Sequence, residues 1–297
     1  MNIVNCTNCG GKSKFFLNAT DVNRRITSEL FSYRKCLSCG LIFLTNVPLN
    51  LDKYYKDEYY QIPSINHINK LSKKIQYQVD MISEFAPKKG RMLEIGSAFG
   101  VFANQAKRSG YVVDSIEMSG ICCEYLSNKI GINTYQSNTP QDVIPRLKFN
   151  YNVVALWHNI EHLLDPWVVI ERAVEKITPG GILLIATPNP DSIAFRMLGA
   201  LWPHVDAPRH INLIPEHLLT TKLKGLGFDL VMKTSNDKGG KSWNRFTWQR
   251  LLMNSISSHL LEKILFLFGW LISIPMSLLE NRKFNGSCYT VIYQKIK

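Results

Sequence analysis

The seven residues EIGSAFG, from Glu94 to Gly100, follow the apolar pair Met92-Leu93 and precede the helical pattern VFANQAKRSGY. Glycine weakens the interior of a strand, because it loses much conformational entropy and has no side chain to pack. A turn of small residues between a strand and a helix instead lets a ligand approach the backbone, and free N–H groups at the helix start point toward that ligand. The segment is therefore either a plain turn or a ligand-binding turn, and the flanking sequence has to decide.

Short apolar runs alternate with helical patterns from Arg91 onward. The predicted strands are Arg91–Ile95, Val112–Ile116, Ile132–Tyr135, Asn152–Leu156, Ile182–Ala186, Phe228–Lys233 and Cys288–Gln294. The predicted helices are Ala98–Ser109, Ser119–Lys129, Asp165–Lys176 and Pro215–Leu226. Repeated strand–helix units predict an α/β fold, with a parallel sheet and helices on both faces. The last two strands lack a helical crossover of the usual kind, which predicts an antiparallel edge.

A second acidic residue, Glu117, ends the next predicted strand about twenty residues beyond the glycine turn. Ligands of parallel sheets bind at the carboxyl ends of the strands, and a carboxylate there can accept hydrogen bonds from both hydroxyls of a ribose. A dinucleotide-binding turn would read GxGxxG, whereas Gly96 and Gly100 form GxxxG. The two features together predict a cofactor that carries a nucleoside.

The glycine turn, with WHNIEH from Trp157 and APRHINL from Ala207, resembles the class I S-adenosylmethionine-dependent methyltransferases over roughly Arg91 to Lys233. The resemblance implies a Rossmann-like sheet and S-adenosylmethionine as the cofactor. The middle glycine of the family's motif is Ala98 here. The residues expected to bind the cofactor are Glu94, Gly96, Ser97, Ala98, Gly100, Glu117, Met118, Asn138 and Trp157.

Methyl transfer to a hydroxyl requires a base that removes a proton, and histidines near the strand ends are the candidates. His210 is the first choice and His158 the second. In the segment DAPRHINL, Arg209 could bind a carboxylate or phosphate of the acceptor. The alternative is that Arg209 pairs with Asp206 and only holds a loop over the pocket.

His158, Glu161 and His162 have the spacing i, i+3, i+4, which would place them on one side of a helical turn. A resemblance to quinone-type O-methyltransferases implies that this trio could hold a second divalent ion. His158 replaces an acid of that pattern and disfavours magnesium, which prefers oxygen ligands. The alternative is that Glu161 and His162 orient the loop that follows.

Four cysteines form two CxxC pairs, Cys6 with Cys9 and Cys36 with Cys39, each followed by glycine. Two such knuckles provide the four thiolates of a closed, structural Zn²⁺ site, and a catalytic zinc would need an open position. The pairs predict a zinc ribbon in residues 1–50. A tyrosine-rich linker and a helix from Ile68 to Phe85 would occupy 51–90, and the methyltransferase domain 91–297.

The ribbon followed by YYKDEYY further resembles bacterial methyltransferases associated with cell-surface saccharide synthesis. This resemblance implies a small-molecule or lipid-linked saccharide as the acceptor. A nucleic-acid methyltransferase is one alternative. The absence of an NPPY-like motif after the fourth strand argues against it, but leaves methylation of an RNA ribose open. A non-catalytic binding module is another, and Gly96, Gly100 and Glu117 argue against the loss of cofactor binding that it would entail.

The chain has 297 residues and a net charge of +12. This charge either indicates a polyanionic partner or reflects a basic composition that has no such function. The start, MNIVNCTNCG, lacks the pattern of a secretory signal and predicts a cytoplasmic location. Residues 236–284 form a predicted helical insertion, with an uncharged run from Ile264 to Leu279. This insertion predicts contact with the inner face of an anionic membrane, or with its own domain or a second copy in a homodimer.

Overall fold

The computed structural model describes residues 4–55, 61–87, 89–253 and 259–296. Residues 56–60 of the tyrosine-rich motif lie outside the described residues. The N-terminal segment forms three antiparallel strands, β1 (Ser13–Ala19), β2 (Phe31–Cys36) and β3 (Ile42–Leu44). The two CxxC knuckles lie at one end of these strands. The first knuckle directly precedes β1, and the second connects the end of β2, at Cys36, to β3.

Two helices follow where the sequence predicts one. The first, α1 (Ile65–Lys74), begins at Ser64, whose side chain accepts a hydrogen bond from the His67 N–H. The second, α2 (Gln76–Ser83), is separated from it by Ile75, which has non-helical dihedral angles of −103° and 17°. The predicted range Ile68–Phe85 is therefore correct in type, but it misses the first turn and this break.

A seven-stranded sheet forms the centre of the molecule and confirms the predicted α/β class. Its strands are β4 (Arg91–Ile95), β5 (Val112–Glu117), β6 (Asn133–Gln136), β7 (Tyr151–Trp157), β8 (Ile177–Pro188), β10 (Phe228–Thr234) and β11 (Cys288–Lys295). The order is β10-β11-β8-β7-β4-β5-β6. The pairs from β8 to β6 are parallel. Of the seven strands, β11 alone runs in the opposite direction, antiparallel to its neighbours, β8 and the edge strand β10. The predicted antiparallel edge is therefore present, but the antiparallel strand is the second from the edge.

Helices cover both faces of this sheet. They are α3 (Val101–Arg108), α4 (Gly120–Tyr125), α5 (Pro140–Val143), α6 (Pro166–Glu175), α7 (Ile193–Leu198) and α8 (Glu216–Gly225). Successive side chains of a strand point to opposite faces, so Leu93 of β4 packs in one apolar cluster with α6 and α8, and Met92 packs in another with α3. The two clusters pack the helices onto opposite faces of the sheet.

The N-terminal strands are joined to the main domain by a short strand, β9 (Asn212–Leu213). It pairs antiparallel with β3, so that Ile42 lies opposite Leu213, and it completes a four-stranded sheet. The sequence gives no sign of this pairing, because β9 has two residues and lies far along the chain. The predicted ribbon thus shares its sheet with the loop that carries Arg209 and His210.

The insertion between β10 and β11 consists of two helices, α9 (Lys238–Met253) and α10 (His259–Glu280). Trp248 of α9 is buried in an apolar cluster that also contains Phe31 and Tyr33 of β2. The insertion therefore packs on the N-terminal sheet as well as on β11.

Candidate active site

The glycine turn after β4 has backbone angles and close contacts that a residue with a side chain would disturb. Gly96 has φ of 78° and Gly100 has φ of 80°, both in the left-handed region. A Cβ atom on Gly96 would lie 2.1 Å from the Asn159 Nδ2 atom, and one on Gly100 would lie 2.4 Å from the Leu126 Cδ2 atom. Ala98 also has a positive φ, 47°. The predicted helix start at Ala98 is wrong for this reason, since α3 begins at Val101 after the turn.

Glu117, at the end of β5, is held by backbone donors of the same region. Its Oε2 atom accepts a hydrogen bond from the Ala98 N–H at 2.8 Å, and its Oε1 atom accepts one from the Ser119 N–H at 2.9 Å. Burial raises the pKa of this carboxyl, and the two N–H donors oppose that shift. A positioned carboxylate with lone pairs left over suits recognition of a diol.

A cavity of about 560 Å³ opens beside this carboxylate and is called the Glu117 cavity below. Gly96, Ala98, Met118 and the exposed Asn138 line it, together with Glu117. Its volume fits a nucleoside. Five of the predicted cofactor-binding residues therefore meet at one cavity.

A second cavity of about 270 Å³, the Glu94 cavity, lies on the other side of the glycine turn. Glu94, Ser97, Gly100 and Trp157 line it, so it contains the remaining predicted cofactor residues. Among the residues that the structure describes, the Glu94 Oε2 and Trp157 Nε1 atoms are buried without a hydrogen-bond partner. Buried polar atoms normally have partners, and these two, an acceptor and a donor, match an ammonium and a carboxylate. Burial raises the pKa of Glu94 to about 8, and a bound cation would favour its ionised form.

A third cavity of about 380 Å³, the histidine cavity, contains four histidines. Its lining includes His158, Glu161, His162, His204, Asp206, His210, Arg24, Arg250, Trp243 and Phe246. His158 lines this cavity and also the Glu117 and Glu94 cavities, so it lies where the three meet. Its φ of 48° turns the backbone at the end of β7.

Glu161 is the buried acid of the histidine cavity. Its Oε2 atom accepts a hydrogen bond from Thr187 at 2.9 Å. Its Oε1 atom lies 3.7 Å from the Nδ1 atom of His158 and accepts no hydrogen bond from the part of the chain that the structure describes. Burial would raise the pKa of Glu161, but the surrounding imidazoles lower it to about 2. The carboxylate is therefore ionised at neutral pH and favours a cation among its neighbours.

The predicted trio of His158, Glu161 and His162 is only partly brought together. The ligand atoms of Glu161 and His162 lie within 4.8 Å of one another and of a His210 nitrogen, and His158 is outside this group. The helical turn starts at Ile160, after the left-handed His158, so the i, i+3, i+4 argument does not apply. Two imidazoles and one carboxylate suit a transition-metal ion better than magnesium.

His210 is more enclosed than its predicted role as a base suggests, and so is the neighbouring His204. The Nδ1 atom of His210 is 2.7 Å from the His204 carbonyl oxygen, and its Nε2 atom is 3.8 Å from an Asp206 carboxylate oxygen. Burial and neighbouring imidazoles lower the pKa of His204 to about 3 and that of His162 to about 4. The imidazoles of His204 and His162 are therefore neutral at physiological pH.

Arg209 lines none of the three cavities, so it does not face the space where a methyl acceptor could bind. Its Nη2 atom lies 2.8 Å from an Asp21 oxygen and 2.7 Å from an Asp206 oxygen, and its side chain has no exposed surface. The prediction that it binds an acceptor anion is therefore wrong. The alternative of an arginine–aspartate pair that holds the loop agrees with this geometry, and Asp21 comes from the N-terminal segment.

Four N-terminal residues outside the predicted set of site residues also support the histidine cavity. Asn23 donates to the Asp206 carboxylate at 2.6 Å, and the Tyr33 hydroxyl donates to the His210 carbonyl oxygen at 2.7 Å. The Tyr55 hydroxyl lies 2.9 Å from His162 Nδ1, and Arg24 lines the cavity. Tyr55 belongs to the tyrosine-rich motif noted in the sequence, whereas no local pattern marks the other three. These contacts accompany the pairing of β3 with β9, which joins the N-terminal segment to the main domain and which the sequence does not indicate.

The four cysteines of the two knuckles lie together as predicted. The Cys6 and Cys39 sulfurs are 3.6 Å apart, and the Cys9 and Cys36 sulfurs are 3.5 Å apart. Four sulfurs at about 2.3 Å from a tetrahedral zinc would be about 3.8 Å from one another, so the cluster is compatible with Zn²⁺. Backbone N–H groups of Asn8 and Ser38 donate to two of the sulfurs.

We expect one zinc per chain, retained without added cofactor. Cys36→Ser should lose the metal and lower the melting temperature, because formation of such a site is coupled to folding. Cys122→Ala is the control, since Cys122 lies in α4 away from the knuckles. Elemental analysis of both variants measures this, and full zinc occupancy in Cys36→Ser would place the ligands elsewhere.

Comparisons with known proteins agree with this geometry. A family model described as a methyltransferase domain matches residues 67–233. The ubiquinone biosynthesis O-methyltransferase of Cereibacter sphaeroides is 24% identical over 166 residues, which cover 53% of this chain and 66% of that protein. The enzyme of the same name from Saccharophagus degradans is 27% identical over 128 residues, which cover 41% of this chain and 53% of that protein. The chain thus spans between about half and two thirds of the length of these curated relatives.

Solved structures share the fold. A SAM dependent methyltransferase from Archaeoglobus fulgidus has a TM-score of 0.50 and 16% identity, covering 75% of this chain and 94% of that chain. A cyclopropane synthase from Mycobacterium tuberculosis has a TM-score of 0.51 and 11% identity, covering 74% of this chain and 83% of that chain. At these identities the likeness is one of fold.

Proposed function

Because this chain belongs to the class I S-adenosylmethionine-dependent methyltransferases, we propose that it methylates a hydroxyl oxygen of a sugar carried on a lipid-linked intermediate. S-adenosylmethionine supplies a methyl group activated on a sulfonium. The Glu117 cavity would hold its adenosine, and the Glu94 cavity would hold its amino-acid part. The unpartnered Glu94 and Trp157 atoms support this orientation, since they offer an acceptor to the ammonium and a donor to the carboxylate.

The observation that carries the proposal is the position of His158 where the three cavities meet. An acceptor in the histidine cavity would bring its hydroxyl to this imidazole and to the methyl carbon at once. With S-adenosylmethionine bound, the oxygen would take the methyl group as the carbon–sulfur bond breaks, and the His158 imidazole would accept the hydroxyl proton. The products are a methyl ether and neutral S-adenosylhomocysteine, and the ionised Glu161 stabilises the imidazolium.

The lining of the histidine cavity supports a phosphorylated sugar as the acceptor. Trp243 offers a ring surface on which a sugar ring could stack, and Arg24 and Arg250 are cations that suit a phosphate. Relatives named ubiquinone biosynthesis O-methyltransferase support oxygen as the methylated atom. The cytoplasmic face of a membrane would supply such an acceptor.

Radiolabelled S-adenosylmethionine tests the proposal in three parallel incubations, with a bacterial lipid extract, with water-soluble nucleotide sugars and with RNA. We expect label in a product of the lipid extract. Mild acid hydrolysis should release the labelled sugar of this product from the lipid. Label in RNA alone would overturn the proposed acceptor class.

His158→Gln should lower kcat about 10²- to 10⁴-fold, the usual range for loss of a general base, with unchanged cofactor affinity by calorimetry. His217→Gln is the control, because His217 is exposed on α8 and lines none of the three cavities. Equal kcat in the two variants would exclude His158 as the base and favour His210.

A further inference from the structure

Helix α10 has its apolar side chains on the outside. Residues Lys263–Glu280 are long and apolar enough to cross a membrane by length and composition, and 17% of them are buried. Phe266, Leu267, Phe268, Leu271, Ile274 and Leu278 are all between 47% and 66% exposed. The residues of this segment that are buried, Gly269, Ser273 and Glu280, are small or polar. A surface helix of a water-soluble protein has the opposite arrangement.

The contact between α10 and α9 is of the kind found between helices in membranes. A Cβ atom on Gly269 would lie 2.5 Å from the Gln249 Cα atom and 2.6 Å from the Trp248 carbonyl oxygen, so the two backbones touch there. Gly269, Ser273 and Ser277 follow at intervals of four residues, which is the small-residue spacing of packed membrane helices. Each serine hydroxyl donates to a carbonyl of its own helix, at 2.6 Å, so neither needs water.

Basic side chains border this face, among the side chains that the structure describes in α9, in α10 and in the turn after α10. Lys263 precedes the apolar face, and Arg282 and Lys283 follow it. Lys241 and Arg245 of α9 border a groove beside Trp270. The described carboxylate of the helix pair, Glu280, is buried against the Trp248 indole, to which it is hydrogen-bonded at 3.0 Å. An apolar face bordered by cations and tryptophan matches the boundary of an anionic membrane.

A second copy of the chain fits this face less well. Two copies packed through α10 would bring the same cations together, and the described part of the face offers them no carboxylate. The net charge of +12 adds to that repulsion. An anionic bilayer satisfies both the apolar face and the charges.

We propose that the outer face of α10 lies in the interfacial layer of an anionic phospholipid membrane, with the flanking cations on lipid phosphates. Trp243, Phe246 and Arg250 of α9 line the histidine cavity, so this docking holds one wall of that cavity next to the membrane. A site next to the bilayer suits an acceptor with a lipid anchor; that last step rests on the proposed function.

The experiment is flotation of the full-length protein with vesicles of phosphatidylcholine alone, or of phosphatidylcholine and phosphatidylglycerol in equal parts. No acceptor or cofactor is added, so the result is independent of the proposed function. We expect strong flotation with the anionic vesicles. The triple variant Lys263→Gln, Arg282→Gln, Lys283→Gln should bind them about 100-fold more weakly, since each basic residue near such a surface contributes about 1 kcal/mol.

The double variant Leu267→Gln, Leu271→Gln should lose binding to the anionic vesicles and keep its S-adenosylmethionine affinity, which shows that it is folded. Ile26→Gln with Leu30→Gln is the matched control, because it removes two exposed apolar side chains of the N-terminal segment. Absence of flotation with either vesicle would overturn the proposal. So would a stable dimer in sedimentation velocity that the α10 double variant dissociates.

Discussion

Gly96→Ala is expected to lower the affinity for S-adenosylmethionine by at least about 100-fold. The added Cβ atom would lie 2.1 Å from the Asn159 side chain, so either that side chain or the turn between the Glu117 and Glu94 cavities must move. The backbone would also pay the cost of a left-handed alanine, about 1–2 kcal/mol. Calorimetric titration with S-adenosylmethionine measures the affinity.

The control for this prediction is Gly227→Ala. Gly227 has a φ of 83°, close to that of Gly96, and nothing lies within 4 Å of its added Cβ atom. This variant has the same backbone penalty without the clash, and we expect it to bind the cofactor normally. Equal losses of affinity in both variants would mean that backbone strain alone, and not the shape of the turn, controls binding.

Arg209→Leu should lower the free energy of unfolding by about 3–5 kcal/mol, because it leaves two aspartates buried without their partner. Asp21 and Asp206 both bind this guanidinium, and none of the Arg209 side chain is exposed. Arg172→Leu is the control. Arg172 pairs with Glu175 at 3.5 Å with both side chains about half exposed, and such a pair is worth about 0–1 kcal/mol. Urea unfolding of the two variants gives both values.

The buried pair also predicts the sign of a pH effect. Burial would raise the pKa of Asp206, but Arg209 lowers it below the ordinary value. The stabilisation is therefore complete above the ordinary carboxyl pKa of about 4 and is lost as the pH falls below it. Arg209→Leu should weaken the acid dependence of unfolding, and an unchanged dependence would assign it to other carboxylates.

The sequence predicts the strands of the main sheet to within a few residues, because buried parallel strands are short apolar runs between turn residues. The long strand β8, which starts at Ile177 and not at Ile182, is the main exception, since its first half contains Thr178, Pro179 and two glycines. The cofactor-binding residues are predictable for a related reason. Glu94, Gly96 and Glu117 stand at fixed positions relative to strand ends, and parallel strands end at the same edge of the sheet.

The acceptor side could not be predicted in the same way, because it depends on contacts between distant segments. Asp21 and Arg209 are 188 positions apart and meet where the pairing of β3 with β9 joins the two segments. His158 leaves the expected face of its turn because its φ is positive. Neither pairing of distant segments nor the left-handed conformation of a histidine has a signature in local composition.

The pairing of β3 with β9 also has a bearing on synthesis of the chain. About 170 residues separate Leu44 from Asn212, so β3 emerges from the ribosome roughly 10 to 30 seconds before its partner at ordinary translation rates. During that interval the N-terminal sheet has an open edge that could pair with another nascent chain. Truncated proteins that end before Asn212 retain that exposed edge permanently. The N-terminal segment is therefore a poor choice for expression alone, and early termination of translation would yield aggregation-prone fragments.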